Sequence, residues 1–175
     1  MIATMRRIAP VAALVAVAPV AHAQAPAAPD AGSTASRTQI DAAVAEMAAA
    51  MKPGQGFAYR PLVQADGSVA ALEYWKAPGR PAVHPDEAEY AVVIAGAGTL
   101  VSGGTLEEAV VVNGGLTEGS RIRNGTTRPL RPGDVLMIPA GMPHWFGIDG
   151  GKLVLLGLKL RGPAPGAGAE PAAKP

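Results

Sequence analysis

Histidine is scarce in this 175-residue chain, which carries three: His22, His84 and His144. An imidazole near neutral pH can ligate a metal, take up a proton or pass one on, so its neighbours decide its use. His84 lies in Pro81-Ala82-Val83-His84-Pro85-Asp86-Glu87-Ala88-Glu89, within reach of the carboxylates Asp86, Glu87 and Glu89. His144 closes the run Gly133-Asp134-Val135-Leu136-Met137-Ile138-Pro139-Ala140-Gly141-Met142-Pro143-His144. Two imidazoles and one carboxylate make a facial triad with open positions, suited to Fe(II) and able to take other divalent ions. Glu89 has the strand parity of Ala91 and Val93, and an acid on an apolar strand face is costly unless it is paired or metal-bound. Cysteine is absent, which removes thiolate metal sites, a cysteine nucleophile and any disulfide framework. No phosphate-binding loop or nucleophile elbow is present.

The elements that must position these residues begin after an address segment. Met1–Arg7 carries two arginines, Ile8–Val20 is an apolar run of 13 residues, and Ala21-His22-Ala23 is a small-x-small cleavage pattern. This reads as a secretory signal peptide over residues 1–23, cut after Ala23. The apolar run falls short of the roughly 20 residues of a membrane span, so no membrane anchor is expected after cleavage. The expected location is periplasmic or secreted. Removing the signal takes away His22 and two of the 15 basic residues, leaving 13 bases against 14 acids. With no basic block and aromatics at 4%, nucleic-acid binding is not expected. Residues 24–36 are an Ala/Pro-rich leader and residues 162–175 a Gly/Pro/Ala-rich tail, both without periodicity.

One domain is expected between them, over residues 37–161. Ile40, Val44, Met47 and Met51 recur at helical spacing, which predicts a helix over 37–52. Ser36 with Gln39, or Thr38 with Asp41, would cap it, and Pro53-Gly54 stops it. The thin apolar stripe would pack on a sheet or, through Ile40, Met47 and Met51, serve as a homodimer contact. Beyond Gly54 short apolar runs alternate with turn signals, which predicts strands at 57–63, 69–76, 89–95, 99–102, 109–112, 120–123, 126–130, 135–138, 144–148 and 152–160. No second helical pattern appears, so a βαβ architecture is disfavoured. Asn124-Gly125 is expected to turn a two-residue hairpin that faces Arg123 with Thr126 and Arg121 with Arg128. Tyr74, Trp75, Trp145 and Phe146 are candidates for a pocket mouth, and Lys76 and Arg80 for contact with an anionic ligand.

The two histidine-bearing stretches resemble the two motifs of the cupin superfamily. His84, four residues, Glu89, six residues and Gly96 match the first. Gly133, five residues, Pro139, one residue, Gly141, two residues and His144 match the second at every step. The resemblance covers most of the folded part and is similar to that of exported single-domain bacterial cupins. It implies an all-β fold, a small jelly-roll-like double-stranded β-helix barrel, here with one N-terminal helix. It also implies a mononuclear divalent transition-metal site of Fe, Mn, Zn or Ni on His84, Glu89 and His144, with Glu87 as an alternative or supporting carboxylate. There are departures. The family's first motif has a second His two residues upstream, where this chain has Ala82, and Ile148 stands where Asn is usual. Three protein ligands and an open position still make an adequate site. The resemblance implies action on, or binding of, a small organic molecule, with dioxygenase, isomerase, decarboxylase or lyase chemistry all compatible. The alternatives are a non-catalytic binding module and a structural barrel with a vestigial site, because a fold of this kind hosts many functions.

Overall fold

Capping chemistry opens the first element of the described residues. The computed structural model describes residues 33–65 and 67–161; the expected signal peptide, most of the leader and the tail lie outside them. Helix α1 spans Arg37–Ala50, with Ser36 as N-cap and a complete Ser36/Gln39 capping box. Of the two capping options, this one satisfies two orphan amide donors reciprocally. Asp41, free of the alternative cap, pairs with Arg37 one turn back. Met51 is already extended and caps the helix, which ends two residues short of the expected 52.

The strands are β1 (Phe57–Ala65), β2 (Ser68–Trp75), β3 (Ala82–Val83), β4 (Glu87–Ser102), β5 (Thr105–Glu107), β6 (Val110–Asn113), β7 (Leu116–Glu118), β8 (Arg121–Arg123), β9 (Thr126–Leu130), β10 (Val135–Ile138) and β11 (His144–Arg161). Nine of them form one antiparallel sheet, and β5 with β8 forms a second. The two long strands β4 and β11 pair along their whole length, from His144 opposite Ser102 to Arg161 opposite Glu87. On its other side β4 receives β10 along its first half and β9 along its second. β11 likewise receives β3 at its start and β2 at its end. Strands shared in this way curl the sheet on itself, and the described residues form a small all-β barrel preceded by one helix.

Two expected breaks are continuous strand. Gly96-Ala97-Gly98 lies inside β4 rather than between two strands, and Gly150-Gly151 lies inside β11. Gly96 has φ +79, and a Cβ there would stand 2.2 Å from the Lys152 carbonyl oxygen. Glycine here lets the ladder bulge without ending it, so the residue that signalled a turn bends a strand instead. The register slips at the facing point, between Asp149 and Leu153.

The Asn124-Gly125 hairpin is a second correction. β8 pairs with β5, not β9, and β9 pairs with β4. Arg121 and Arg123 both reach Glu107 across that small sheet, whereas the hairpin would have set Arg121 opposite Arg128. Opposite charges across strands are favourable and like charges are not. The strands that the sequence did not mark, β3, β5 and β7, are two or three residues long and too short to show an alternation.

Parity sorts the side chains into two cores. Ala91, Val93, Leu100, Leu153 and Leu155 fill the barrel interior, together with Leu136, Ile138 and Phe146. Leu72, Tyr74 and Val154 point the other way and pack under Ala43 and Met47 of α1 and its C-cap Met51. The helix stripe is therefore spent inside its own chain, on the outer face of β2 and β11, and is not left free as a contact between subunits. Among the described residues no helix is long and apolar enough to cross a membrane.

Candidate metal centre

Three short pieces of chain bring the candidate ligands together at one end of the barrel interior. Glu89 is the third residue of β4 and is buried, 3% exposed. His144 is the first residue of β11 and is 5% exposed. His84 sits between β3 and β4, at the rim. The corner Pro139–Pro143 aims His144, as the proline spacing suggested. It also holds His84, because the Gly141 amide donates to the His84 carbonyl at 2.8 Å and the Met142 amide to the Pro139 carbonyl at 3.1 Å.

Both imidazoles are oriented by backbone. His84 Nδ1 lies 3.1 Å from the Gly115 carbonyl oxygen, and His144 Nδ1 lies 3.1 Å from that of Met142. A carbonyl only accepts, so each Nδ1 carries the proton and each Nε2 keeps its lone pair in the neutral ring. Burial pushes the His144 pKa below its ordinary value, and the Glu89 carboxylate pulls the other way. The two Nε2 atoms face one carboxylate oxygen: His144 Nε2 is 3.6 Å and His84 Nε2 is 4.0 Å from Glu89 Oε2. All three ligating atoms lie within 4.8 Å of one another. Donors about 2.1 Å from a shared ion stand roughly 3–4 Å apart, so the set fits a divalent ion after side-chain shifts of about an ångström or less.

Not every expected residue joins the group. Glu87 lies on the same strand two residues before Glu89 but pairs with Arg161 at 3.1 Å and is outside the three-residue cluster. Asp86 is exposed. Ala82 sits directly opposite His144 in the β3–β11 pair and lines the cavity without a ligating atom.

That cavity has a volume of about 400 Å³ and contains His84, Glu89 and His144 in its wall. Phe57, Trp75, Trp145 and Phe146 line it too, which is every Trp and Phe of the sequence. Phe57 and Trp75 pack against each other with ring centroids 4.2 Å apart and planes tilted by 43°, and Trp145 Nε1 donates to the Gly79 carbonyl at 2.9 Å. Tyr74, expected beside them, is buried in the helix-side core instead, because its parity along β2 is opposite to that of Trp75. Arg80 reaches the wall and is held by Glu118 at 3.5 Å; Lys76 is exposed and does not line it. A larger cavity of about 700 Å³ shares Gly79, Arg80 and Trp145 but contains none of the three clustered residues.

Two charged residues of the site escaped the sequence reading. Lys159 of β11 contacts Glu89 Oε2 with its ammonium. Glu73 of β2 accepts from Trp75 Nε1 at 3.2 Å. Burial, reinforced by the nearby Glu89 charge, pushes the Glu73 pKa up to about 7, against the opposing pull of Lys159 and the Trp75 hydrogen bond. The available signal was parity. Lys159 falls in step with Leu153 and Leu155, and Glu73 with Ala71 and Trp75, all facing the interior.

A family model described as "Cupin" matches residues 58–159. No functionally curated protein matches the chain. Solved structures with a similar fold include the DMSP lyase DddQ of Ruegeria pomeroyi DSS-3, at 22% identity and a TM-score of 0.49 over 77% of this chain and 68% of that one. KdgF of a Halomonas species is 17% identical, with a TM-score of 0.44 over 64% and 87% of the two chains. The hydroquinone 1,2-dioxygenase PnpCD, in complex with Cd2+ and 4-hydroxybenzonitrile, is 19% identical, with a TM-score of 0.49 over 69% and 72%. At these identities the likeness is one of fold.

Proposed function

The chain belongs to the cupin family, and we propose that it is an exported cupin that binds one divalent transition metal on His84, Glu89 and His144 and acts on a small organic molecule in the adjoining cavity. The observation that carries this reading is the convergence of two free imidazole Nε2 atoms on one buried carboxylate oxygen, at 3.6 and 4.0 Å. A divalent ion held there, Fe, Mn, Zn or Ni, supplies a Lewis-acid centre with open positions. The chain does the rest. Phe57, Trp75, Trp145 and Phe146 exclude water and present flat apolar faces to an organic ligand. Glu73, poised near neutral pH, takes up or returns a proton at its carboxyl oxygen.

The first experiment is elemental analysis of the protein purified from the full chain, beside His84→Ala, His144→Ala and Glu89→Gln. Near-stoichiometric metal that is lost in all three variants is the expected result. A wild-type protein that takes up no divalent ion, even on soaking, sinks the proposal. The absence of a ligating atom at Ala82 and the ammonium on Glu89 favour a second reading, a non-catalytic binding module built on the same barrel. Ligand binding by the metal-free protein, with no turnover after loading, would select it.

Export rests on the Met1–Ala23 pattern. A periplasmic or extracellular protein whose N-terminus begins at Gln24 by mass spectrometry is expected, with no retained anchor; a chain that stays cytoplasmic and uncut overturns this part. Homodimerisation is proposed with a changed surface. With Met47 and Met51 buried against the barrel, Val110, Val111 and Val112 of β6 are exposed on an edge strand of the sheet, where unpaired backbone favours strand addition. Light scattering at the monomer mass would reject it.

A further inference from the structure

Lys159 lies directly opposite Glu89 in the β4–β11 register. Its ammonium bonds Oε2, the oxygen that also faces both imidazoles. The ammonium and an ion held by His84 and His144 would thus both stand against one carboxylate oxygen. Two cations at that distance repel each other, so each weakens the other's hold on Glu89.

The parity of β11 makes this arrangement deliberate rather than incidental. Residues 153, 155, 157 and 159 face the barrel interior, where an ammonium is costly unless paired. Glu89 is itself nearly inaccessible, and without a cation beside it the carboxylate would be buried and uncompensated. Lys159 meets both needs at once. Ala82 completes the picture, because across from His144 it leaves the cavity wall without a ligating atom. A second acceptor is at hand as well: Glu73 lines the same cavity and feels the Lys159 charge.

We propose that Lys159 is a resident cation that holds Glu89 in the metal-free protein and competes with the metal ion for it. Binding of the ion displaces the ammonium from Glu89 toward Glu73. Lys159 therefore sets the affinity of the site and keeps the empty barrel folded. This rests on the metal-site reading above.

The test titrates the full chain with Zn2+ and Mn2+ against a chromophoric chelator. Lys159→Met should bind about 10-fold to 100-fold more tightly than wild type, since the ion no longer displaces a charge-assisted hydrogen bond. Metal-free Lys159→Met should melt at a lower temperature than metal-free wild type, and added metal should raise its Tm by more than it raises that of wild type. Lys159→Arg keeps the charge and should stay near the wild-type affinity. A second readout needs no variant. In wild-type protein, acetylation of the Lys159 amine by a soluble active ester, followed by mass spectrometry, should speed up severalfold on saturation with Zn2+. Equal or weaker metal binding by Lys159→Met, or unchanged labelling of a metal-saturated wild type, overturns the competition and leaves the metal site standing. Failure of wild type and Lys159→Met alike to bind either ion overturns both readings.

Discussion

The Gly141 amide donates to the carbonyl oxygen of His84 at 2.8 Å, so the corner that precedes one imidazole also fixes the backbone of the other. Gly141 has φ +75, and a Cβ there would meet only the Pro85 carbonyl, at 3.9 Å. The constraint is conformational rather than steric. Gly141→Ala should cost about 1–2 kcal/mol of stability, the penalty for an L-residue held left-handed. It should also loosen both histidines. Chemical denaturation checks the first effect, and a metal titration showing weaker binding checks the second. An unchanged affinity in a destabilised variant would mean that the corner does not tie the two sites.

Neighbouring carboxylates should separate cleanly in function. Glu89→Gln removes the charge on which both imidazoles converge and should lower metal affinity by more than about 100-fold, beyond the 10–100-fold typical of outer-shell losses. Glu87→Gln breaks only the pair with Arg161 and should leave affinity within about twofold. An exposed ion pair of this kind contributes about 1 kcal/mol or less to stability. Isothermal titration of the two variants side by side decides it, and a large loss in Glu87→Gln would make that residue the ligand.

Glu73 should leave a mark on the pH dependence of stability. Its folded pKa, about 7, lies above the ordinary 4.5, so the folded state binds the proton more tightly than the unfolded chain. Stability from this group is present below pH 4.5 and is lost as pH rises through about 7. A shift of that size corresponds to at most about 3 kcal/mol. Glu73→Gln, neutral at all pH, should therefore be more stable than wild type at pH 8 and close to it at pH 4. Tm measured across that range in metal-free protein checks the sign; parallel curves would show that Glu73 titrates normally.

Met47 distinguishes a helix that serves its own barrel from one that serves a partner. It is buried against Leu72, Tyr74 and Val154. Met47→Ala should cost about 2–3 kcal/mol as a cavity in a core. Because the contact is within one chain, the loss should not vary with protein concentration. A concentration-dependent loss, with a change of mass in solution, would put the stripe back at a subunit interface.

Much of the site is legible in the sequence. His84, Glu89 and His144 were recognisable because the glycines and prolines that shape their loops stand at set spacings, and such residues act on the backbone locally whatever surrounds them. The helix was legible for the same reason, with two candidate caps of which the fold uses Ser36 with Gln39, as was the alternation that puts Glu89 on the face of Ala91 and Val93. Partners across strands were not. The hairpin expected at Asn124-Gly125 lost to the pairing of Arg121 and Arg123 with Glu107, and the glycines of β4 and β11 proved to be bends. Register is a relation between distant segments, decided by which faces and charges can be satisfied together. Local spacing in this chain predicted its helix and its many short strands, and its two motifs, through their resemblance to the cupin family, pointed to the fold and to three residues able to hold an ion. Only the tertiary structure decided that Lys159 stands on Glu89, that Glu73 is driven toward neutrality and that every Trp and Phe gathers at one cavity. Those outcomes depend on burial and on charges brought together from separate strands, 70 positions apart for Glu89 and Lys159, where the low dielectric of the interior makes each neighbour count.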